Sequence, residues 1–171
     1  MIKSLAAVAA ASLLVLGSQS AMAATPDETN QWELTLLGSG TNDNDFNNGG
    51  FTVAGSLGYY YTPQWEIVGR QTAGYSDAGA GSSWAASTRL GVLYHFSFGQ
   101  DQPIVPFVGA NIGYTYGDSV SDSWVAGPEA GLKWYVNPTT FIYGSVAYDF
   151  NLQESFGDGQ FVYGLGIGFR F

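Results

Sequence analysis

Beyond residue 30 the chain falls into short segments in which large apolar side chains recur at every second position. That is the period of a strand with two unlike faces. The last segment, Gln160 to Phe171, shows it most clearly: Phe161, Tyr163, Leu165, Ile167, Phe169 and Phe171 alternate with Gln160, Val162, Gly164, Gly166, Gly168 and Arg170. A solvated face is a poor place for glycine, which weakens a strand and offers nothing to pack. An aromatic side turned toward lipid and a glycine side turned toward a crowded interior account for both halves of the pattern.

The other segments repeat the pattern. Gln31 to Ser39 sets Trp32, Leu34 and Leu36 against Glu33 and Thr35, and Phe51 to Tyr61 sets Phe51, Val53, Leu57, Tyr59 and Tyr61 against Thr52, Ala54, Ser56, Gly58 and Tyr60. Gln64 to Tyr75 opposes Trp65, Ile67, Ala73 and Tyr75 to Glu66, Arg70 and Thr72. Trp84 to Phe98 opposes Trp84, Leu90, Val92, Tyr94, Phe96 and Phe98 to Ser87, Arg89, Gly91, Leu93, His95 and Ser97. Ile104 to Tyr116, Trp124 to Val136 and Thr140 to Phe150 follow, with Asn111, Glu129, Lys133 and Asp149 on the less apolar side. The total is eight strands, joined alternately by tight turns (Thr62-Pro63, Gly99 to Pro103, Asn137-Pro138) and by longer polar loops.

An even strand count with alternating short and long connections predicts an all-β fold, an eight-stranded antiparallel up-and-down transmembrane β-barrel. A soluble barrel of lipocalin type would put its apolar face inside and polar side chains outside. Aromatic residues fall at both strand ends, as two interfacial girdles require: Tyr59, Tyr61, Trp65, Phe96, Phe98, Trp134, Phe169 and Phe171 at one rim, Phe51, Tyr75, Trp84, Tyr114, Tyr116, Trp124 and Phe150 at the other. Pro106 and Pro128 interrupt two of the strands, and each is expected to cost a ladder hydrogen bond or mark a bulge.

The amino terminus bears on destination. Lys3 precedes an apolar segment from Leu5 to Leu16, Gly17 breaks it, and Ala21-Met22-Ala23 offers small residues for cleavage. Residues 1–23 therefore read as a cleaved secretory signal peptide, 24–30 as a short linker and 31–171 as the barrel domain. Export followed by strands rather than apolar helices points to a bacterial outer membrane. Cysteine is absent and histidine occurs once, so no disulfide and no thiolate metal site can form, and no cofactor is expected.

Charge sharpens the register. The chain carries 5 Lys and Arg against 14 Asp and Glu. After the signal peptide the basic residues are Arg70, Arg89, Lys133 and Arg170, and the alternation turns every one of them inward together with Glu33, Glu66, Glu129 and Asp149. An Arg or Lys on the lipid face would cost about 2 to 4 kcal/mol at the midplane, so this sorting supports the register independently of the apolar count. An eight-stranded barrel has an interior only just wide enough for side chains. These eight residues are expected to form a salt-bridged plug that stabilises and seals the barrel, with small-ion permeation at most. Arg170 is placed to pair with Glu33, and Arg70 and Arg89, on adjacent strands, need Glu129 or water between them.

The remaining acids lie in loops and the amino-terminal linker, and Asp43, Asp45, Asp77, Asp118, Asp122, Glu154 and Asp158 fall in or beside the long loops with no Lys or Arg among them. Such a surface argues against nucleic acid and against direct binding of lipopolysaccharide phosphates. It suits divalent cations shared with the lipopolysaccharide layer.

With these residues in view, the segment from Gln31 to the end resembles the small eight-stranded outer-membrane β-barrel family, similar to OmpX and to the transmembrane domain of OmpA. The most specific feature is the ending Gly166-Ile167-Gly168-Phe169-Arg170-Phe171. It resembles the family's carboxy-terminal assembly signal, with Gly166, Phe169 and Phe171 at the signal positions. The resemblance implies recognition by the barrel-assembly machinery. The chain itself is expected to be a monomeric barrel in contact with outer-membrane lipid and lipopolysaccharide, with a structural or envelope-integrity role.

Two alternatives belong to other classes. His95 and Ser97 share a face and have the His-x-Ser spacing of lipid A deacylases of similar barrel size, but Phe98 stands where that family has asparagine. Moreover, both side chains point into the lumen, whereas an acyl-chain hydrolase needs its nucleophile at the lipid-facing wall. A histidine hydrogen-bonded to Glu66 or water fits the register better, so the chain is read as a non-enzyme. The other alternative is an adhesin or ligand-binding barrel acting through its acidic loops, which are short for that work.

Overall fold

Eight amphipathic strands whose apolar faces turn outward can satisfy their backbone in a bilayer only by closing on themselves. The computed structural model describes residues 30–42, 49–77, 81–96, 103–153 and 159–171. The expected signal peptide, the linker as far as residue 29, Ser97, Phe98, and the acids Asp43, Asp45, Glu154 and Asp158 lie outside the described residues. The strands are β1 (Gln31–Asn42), β2 (Gly49–Tyr60), β3 (Trp65–Asp77), β4 (Ser82–His95), β5 (Ile104–Gly117), β6 (Ser123–Asn137), β7 (Thr140–Asn151) and β8 (Gln160–Arg170). Each pairs antiparallel with the next and β8 returns to β1, giving a closed eight-stranded barrel of the predicted topology.

The strand ends differ from the sequence reading in an instructive way. β1 runs on to Asn42 and β2 begins at Gly49, because Thr41 and Asn42 pair with Gly50 and Gly49, which in turn pair with Ser76 and Asp77 on β3. Above the level of the outer aromatic residues the ladder no longer needs apolar side chains, so alternation understates its length. β4 stops at His95, short of the expected Phe98, although Phe96 still donates its N–H to the Pro106 carbonyl at 2.9 Å. Pro106 has no N–H to return, and it sits where the β4 ladder is already ending. Pro128 acts inside the sheet: the β6 to β7 pairing lapses at Gly127 and Pro128 and resumes in the same register at Glu129 and Ala147.

The wall has the two faces the pattern demands. Large apolar side chains such as Leu57, Leu90, Leu132 and Leu165 lie exposed on the outside. The aromatic residues cluster toward the two rims: Trp32 against Tyr59 and Trp65 against Tyr94 at the turn side, with ring centroids 5.0 and 5.1 Å apart, and Phe51 against Tyr75 and Tyr114 against Trp124 at the loop side, 5.9 and 5.3 Å apart. Halfway along β3 and β4 two polar side chains, Gln71 and Thr88, interrupt this wall. They satisfy each other: the Thr88 hydroxyl donates to Gln71 Oε1 at 2.6 Å, and Gln71 Nε2 donates to the Tyr116 hydroxyl at 3.2 Å and to the Thr72 carbonyl at 3.4 Å.

Candidate functional site

The charged side chains of the inward face gather in two tiers. The tier near the turn side is centred on Lys133 of β6, which donates to Glu33 Oε1 at 2.5 Å, to the Tyr60 hydroxyl at 2.9 Å and to Glu66 Oε2 at 3.0 Å. All three ammonium donors are therefore used. The Tyr60 hydroxyl donates in turn to Glu33 Oε2 at 3.1 Å. Arg170 of β8 stacks over the Tyr60 ring, 4.4 Å from its centroid, and lies 3.7 Å from Glu33 Oε2. His95 of β4 places Nε2 at 2.8 Å from Glu66 Oε2 and 3.3 Å from the Tyr60 hydroxyl.

Aromatic rings close around these charges. Lys133 Nζ lies 5.4, 5.7 and 5.2 Å from the ring centroids of Tyr60, Phe107 and Phe141, a range in which a cation is drawn to the ring face. Glycines on neighbouring strands make room. A Cβ at Gly168 would overlap the Phe141 ring, and one at Gly131 would overlap that of Phe107. The glycine-rich face of β8 is thus the surface against which the rings pack. Tyr60 and Phe141 are 1% and 0% exposed, and Glu33 and Glu66 are 2% and 1% exposed, so rings and carboxylates alike are buried in the tier.

The second tier lies toward the loops. Arg70 and Arg89 are cross-strand neighbours of like charge, and each turns to a different acid across the lumen. Arg70 makes a two-pronged contact with Glu129, Nη1 to Oε2 at 3.1 Å and Nη2 to Oε1 at 3.0 Å. Arg89 Nη1 donates to Asp149 Oδ2 at 2.5 Å and to Asn111 Oδ1 at 3.4 Å. The four acids and four bases balance, so the lumen as a whole is neutral before any protonation of His95. Between the tiers, Thr35 and Ser56 share a hydrogen bond and line a cavity of about 10 Å³, the lower limit for a single water.

All eight charged residues singled out by alternation share this interior. Alternation puts Tyr60 and Asn111 on the inward face but assigns no part in the site to them or to Phe107, Tyr135, Phe141 and Tyr143. The available signal was aromatic residues on the inward parity, such as Tyr60 between the outward Tyr59 and Tyr61. Of the enzyme pair, His95 is bound into the plug at 2% exposure and Ser97 lies outside the described residues. Of the assembly-signal positions, Phe169 and Phe171 are exposed on the outer wall, and Gly166 faces the lumen against Tyr143 and Leu37.

No family model and no curated protein matches the sequence. Solved structures do. The amino-terminal β-barrel domain of OprF from Pseudomonas aeruginosa is similar with a TM-score of 0.59 at 23% identity, over 84% of this chain and 98% of that one. The outer-membrane protein OprG from the same organism gives 0.58 at 13% identity, over 85% and 97%. Neisserial surface protein A gives 0.54 at 16%, over 82% and 94%. The chain thus has the fold of the small eight-stranded outer-membrane β-barrels.

Proposed function

We propose that this protein is an integral outer-membrane β-barrel with a structural, envelope-integrity role, its lumen closed to everything larger than small ions. The observation that carries the reading is the tier around Lys133: its ammonium is bonded by Glu33, Glu66 and Tyr60, the rings of Tyr60, Phe107 and Phe141 close around it, and the cavity beside it holds only about 10 Å³. A lumen built for flux would spend its inward positions on solvated groups instead. The outer wall meets outer-membrane lipid and lipopolysaccharide, and the barrel functions as a monomer. Gly166, Phe169 and Phe171 address the chain to the barrel-assembly machinery. The acidic loops share divalent cations with neighbouring lipopolysaccharide.

The test is conductance. Protein purified from outer membranes, with its barrel checked by heat-modifiable gel mobility, is expected to give no steady current of general-porin size in planar bilayers. Steady conductance of that size refutes the closed lumen. The engagement of His95 by Glu66 and Tyr60 supports a non-enzymatic role. Lipid A acylation is accordingly expected to be unchanged by overexpression, and a change abolished by Ser97→Ala would overturn that reading.

A further inference from the structure

Above the pair of Arg89 and Asp149 the lumen widens into a vestibule of about 270 Å³ on the loop side. Thr115, Ser123, Asn151 and Gln160 from the outer ends of β5 to β8, and Ser121 from the turn between β5 and β6, supply hydroxyl and amide groups to its wall. Val120 and Val125 fill in between, and among the described residues no aromatic ring lines it. Asp149 is its one charged lining residue among the described residues. That side chain is 1% exposed, and only half of its carboxylate is used. Oδ2 takes the Arg89 hydrogen bond, while Oδ1 is buried with no hydrogen-bond partner among the described residues. A buried carboxylate oxygen without a donor is costly, so a donor seated against it would be well bound.

Charge decides which donor. Asp118 and Asp122 are exposed on the turn that supplies Ser121. The four basic residues beyond the signal peptide all lie within strands, at Arg70, Arg89, Lys133 and Arg170, so the rim has no positive charge to offset the acids. A mouth of one sign concentrates the opposite ion and repels its own. An anionic ligand is therefore excluded in favour of a cation. A single carboxylate among neutral oxygens is a weak offer to Ca²⁺ or Mg²⁺, whose sites gain affinity with the count of charged ligands. A quaternary ammonium has no N–H for Oδ1, and the described lining offers no ring to cage it. From these observations we infer that the vestibule is a binding site for a small primary ammonium ligand, held by Asp149 and the surrounding hydroxyl and amide groups. The closed tiers beneath make it a blind site that captures without passing its ligand on.

The refolded protein in detergent micelles is titrated with ethylammonium, tetramethylammonium, calcium and acetate, and the side-chain amide NMR signals of Asn151 and Gln160 are followed. Ethylammonium is expected to give saturable shifts, tetramethylammonium to bind at least tenfold more weakly, as a charge-assisted hydrogen bond dictates, and acetate to give no shift. Asp149→Asn is expected to weaken ethylammonium binding about 10- to 100-fold. Ser123→Val leaves the Arg89 pair intact, so it serves if the first variant folds poorly, and is expected to weaken binding about fivefold. Equal affinity for tetramethylammonium, tighter binding of calcium, or no change in Ser123→Val overturns the inference. Conductance plays no part in the readout, so a leaky lumen and an empty vestibule are separate failures.

Discussion

Replacing Lys133 with methionine isolates the charge at the centre of the plug. Methionine keeps an unbranched apolar stem of similar length among Tyr60, Phe107 and Phe141, so the cage stays filled and little of the effect comes from a cavity. What disappears is the ammonium group that bonds Glu33, Tyr60 and Glu66. Glu33 is left with the Tyr60 hydroxyl and with Arg170 at 3.7 Å, and Glu66 with His95. The lumen changes from neutral to one uncompensated negative charge at residues that are 2% and 1% exposed. Removing one partner of a buried ion pair costs about 3 to 5 kcal/mol, and the sharing of one cation by two carboxylates places Lys133→Met in that range. Urea unfolding of barrels in lipid vesicles, followed by tryptophan fluorescence, measures the loss. Adding Glu33→Gln to the same chain removes the stranded charge and is expected to restore more than half of the stability, a coupling that a double-mutant cycle reads directly. A loss below about 1 kcal/mol, or no recovery in the double variant, would refute the claim that Lys133 is the electrostatic centre of the plug.

Two further predictions concern the wall. In Gly166→Ala the new Cβ would sit 2.5 Å from the Leu36 carbonyl oxygen and 2.9 Å from Tyr143 Cε1. Because one of these is backbone of the neighbouring strand, the substitution is expected to cost about 1 to 3 kcal/mol in the same unfolding assay, and a neutral result would contradict the tight seam. On the outer wall, Thr88→Val strips the Gln71 amide of its hydrogen-bond donor and is expected to destabilise by about 1 to 3 kcal/mol, whereas Gln71→Leu is expected to be neutral or stabilising. The reverse order would mean that this face of β3 and β4 meets water rather than hydrocarbon.

Alternation makes the face of each residue legible, and with it the sign of the interior, because a period of two leaves only two choices. It says nothing of height. Partners in a tilted, staggered barrel depend on height, which is why Arg70 and Arg89, adjacent in the ladder, reach past each other to Glu129 and Asp149. The narrow bore makes such reaches possible, since a long side chain spans to the opposite wall. Tyr60 was hidden for another reason. In the run Tyr59-Tyr60-Tyr61 the flanking rings serve the outer girdle, and nothing local says that the middle one anchors Lys133 and Glu33. The ends of β1 and β2 escaped as well, because their outermost pairs involve glycine, threonine and asparagine rather than apolar residues.

The join between first and last strands is where these levels meet. Most neighbouring strands pair over nearly their whole length, but β1 and β8 pair only from Leu36 and Ile167 to Glu33 and Arg170, with Trp32 and Phe171 exchanging backbone hydrogen bonds at 2.9 Å beyond them. So short a ladder needs side chains to hold it. Glu33 and Arg170 face each other directly across it, and Lys133 reaches from β6 on the far side of β7 and β8 to bond the same Glu33. The Lys133 tier therefore also clasps the seam, which accounts for its position at this end of the barrel and not midway. It also gives the carboxy-terminal pattern a physical reason of its own. Phe169 and Phe171 face outward at the paired positions, Arg170 enters the clasp, and Gly166 and Gly168 leave room for Tyr143 and Phe141 to pack behind it. Closure of a barrel is a non-local contact whose entropy cost must be met when its two termini come together. A sequence that concentrates glycine, aromatic residues and its last arginine in the closing strand places the compensating interactions at that step.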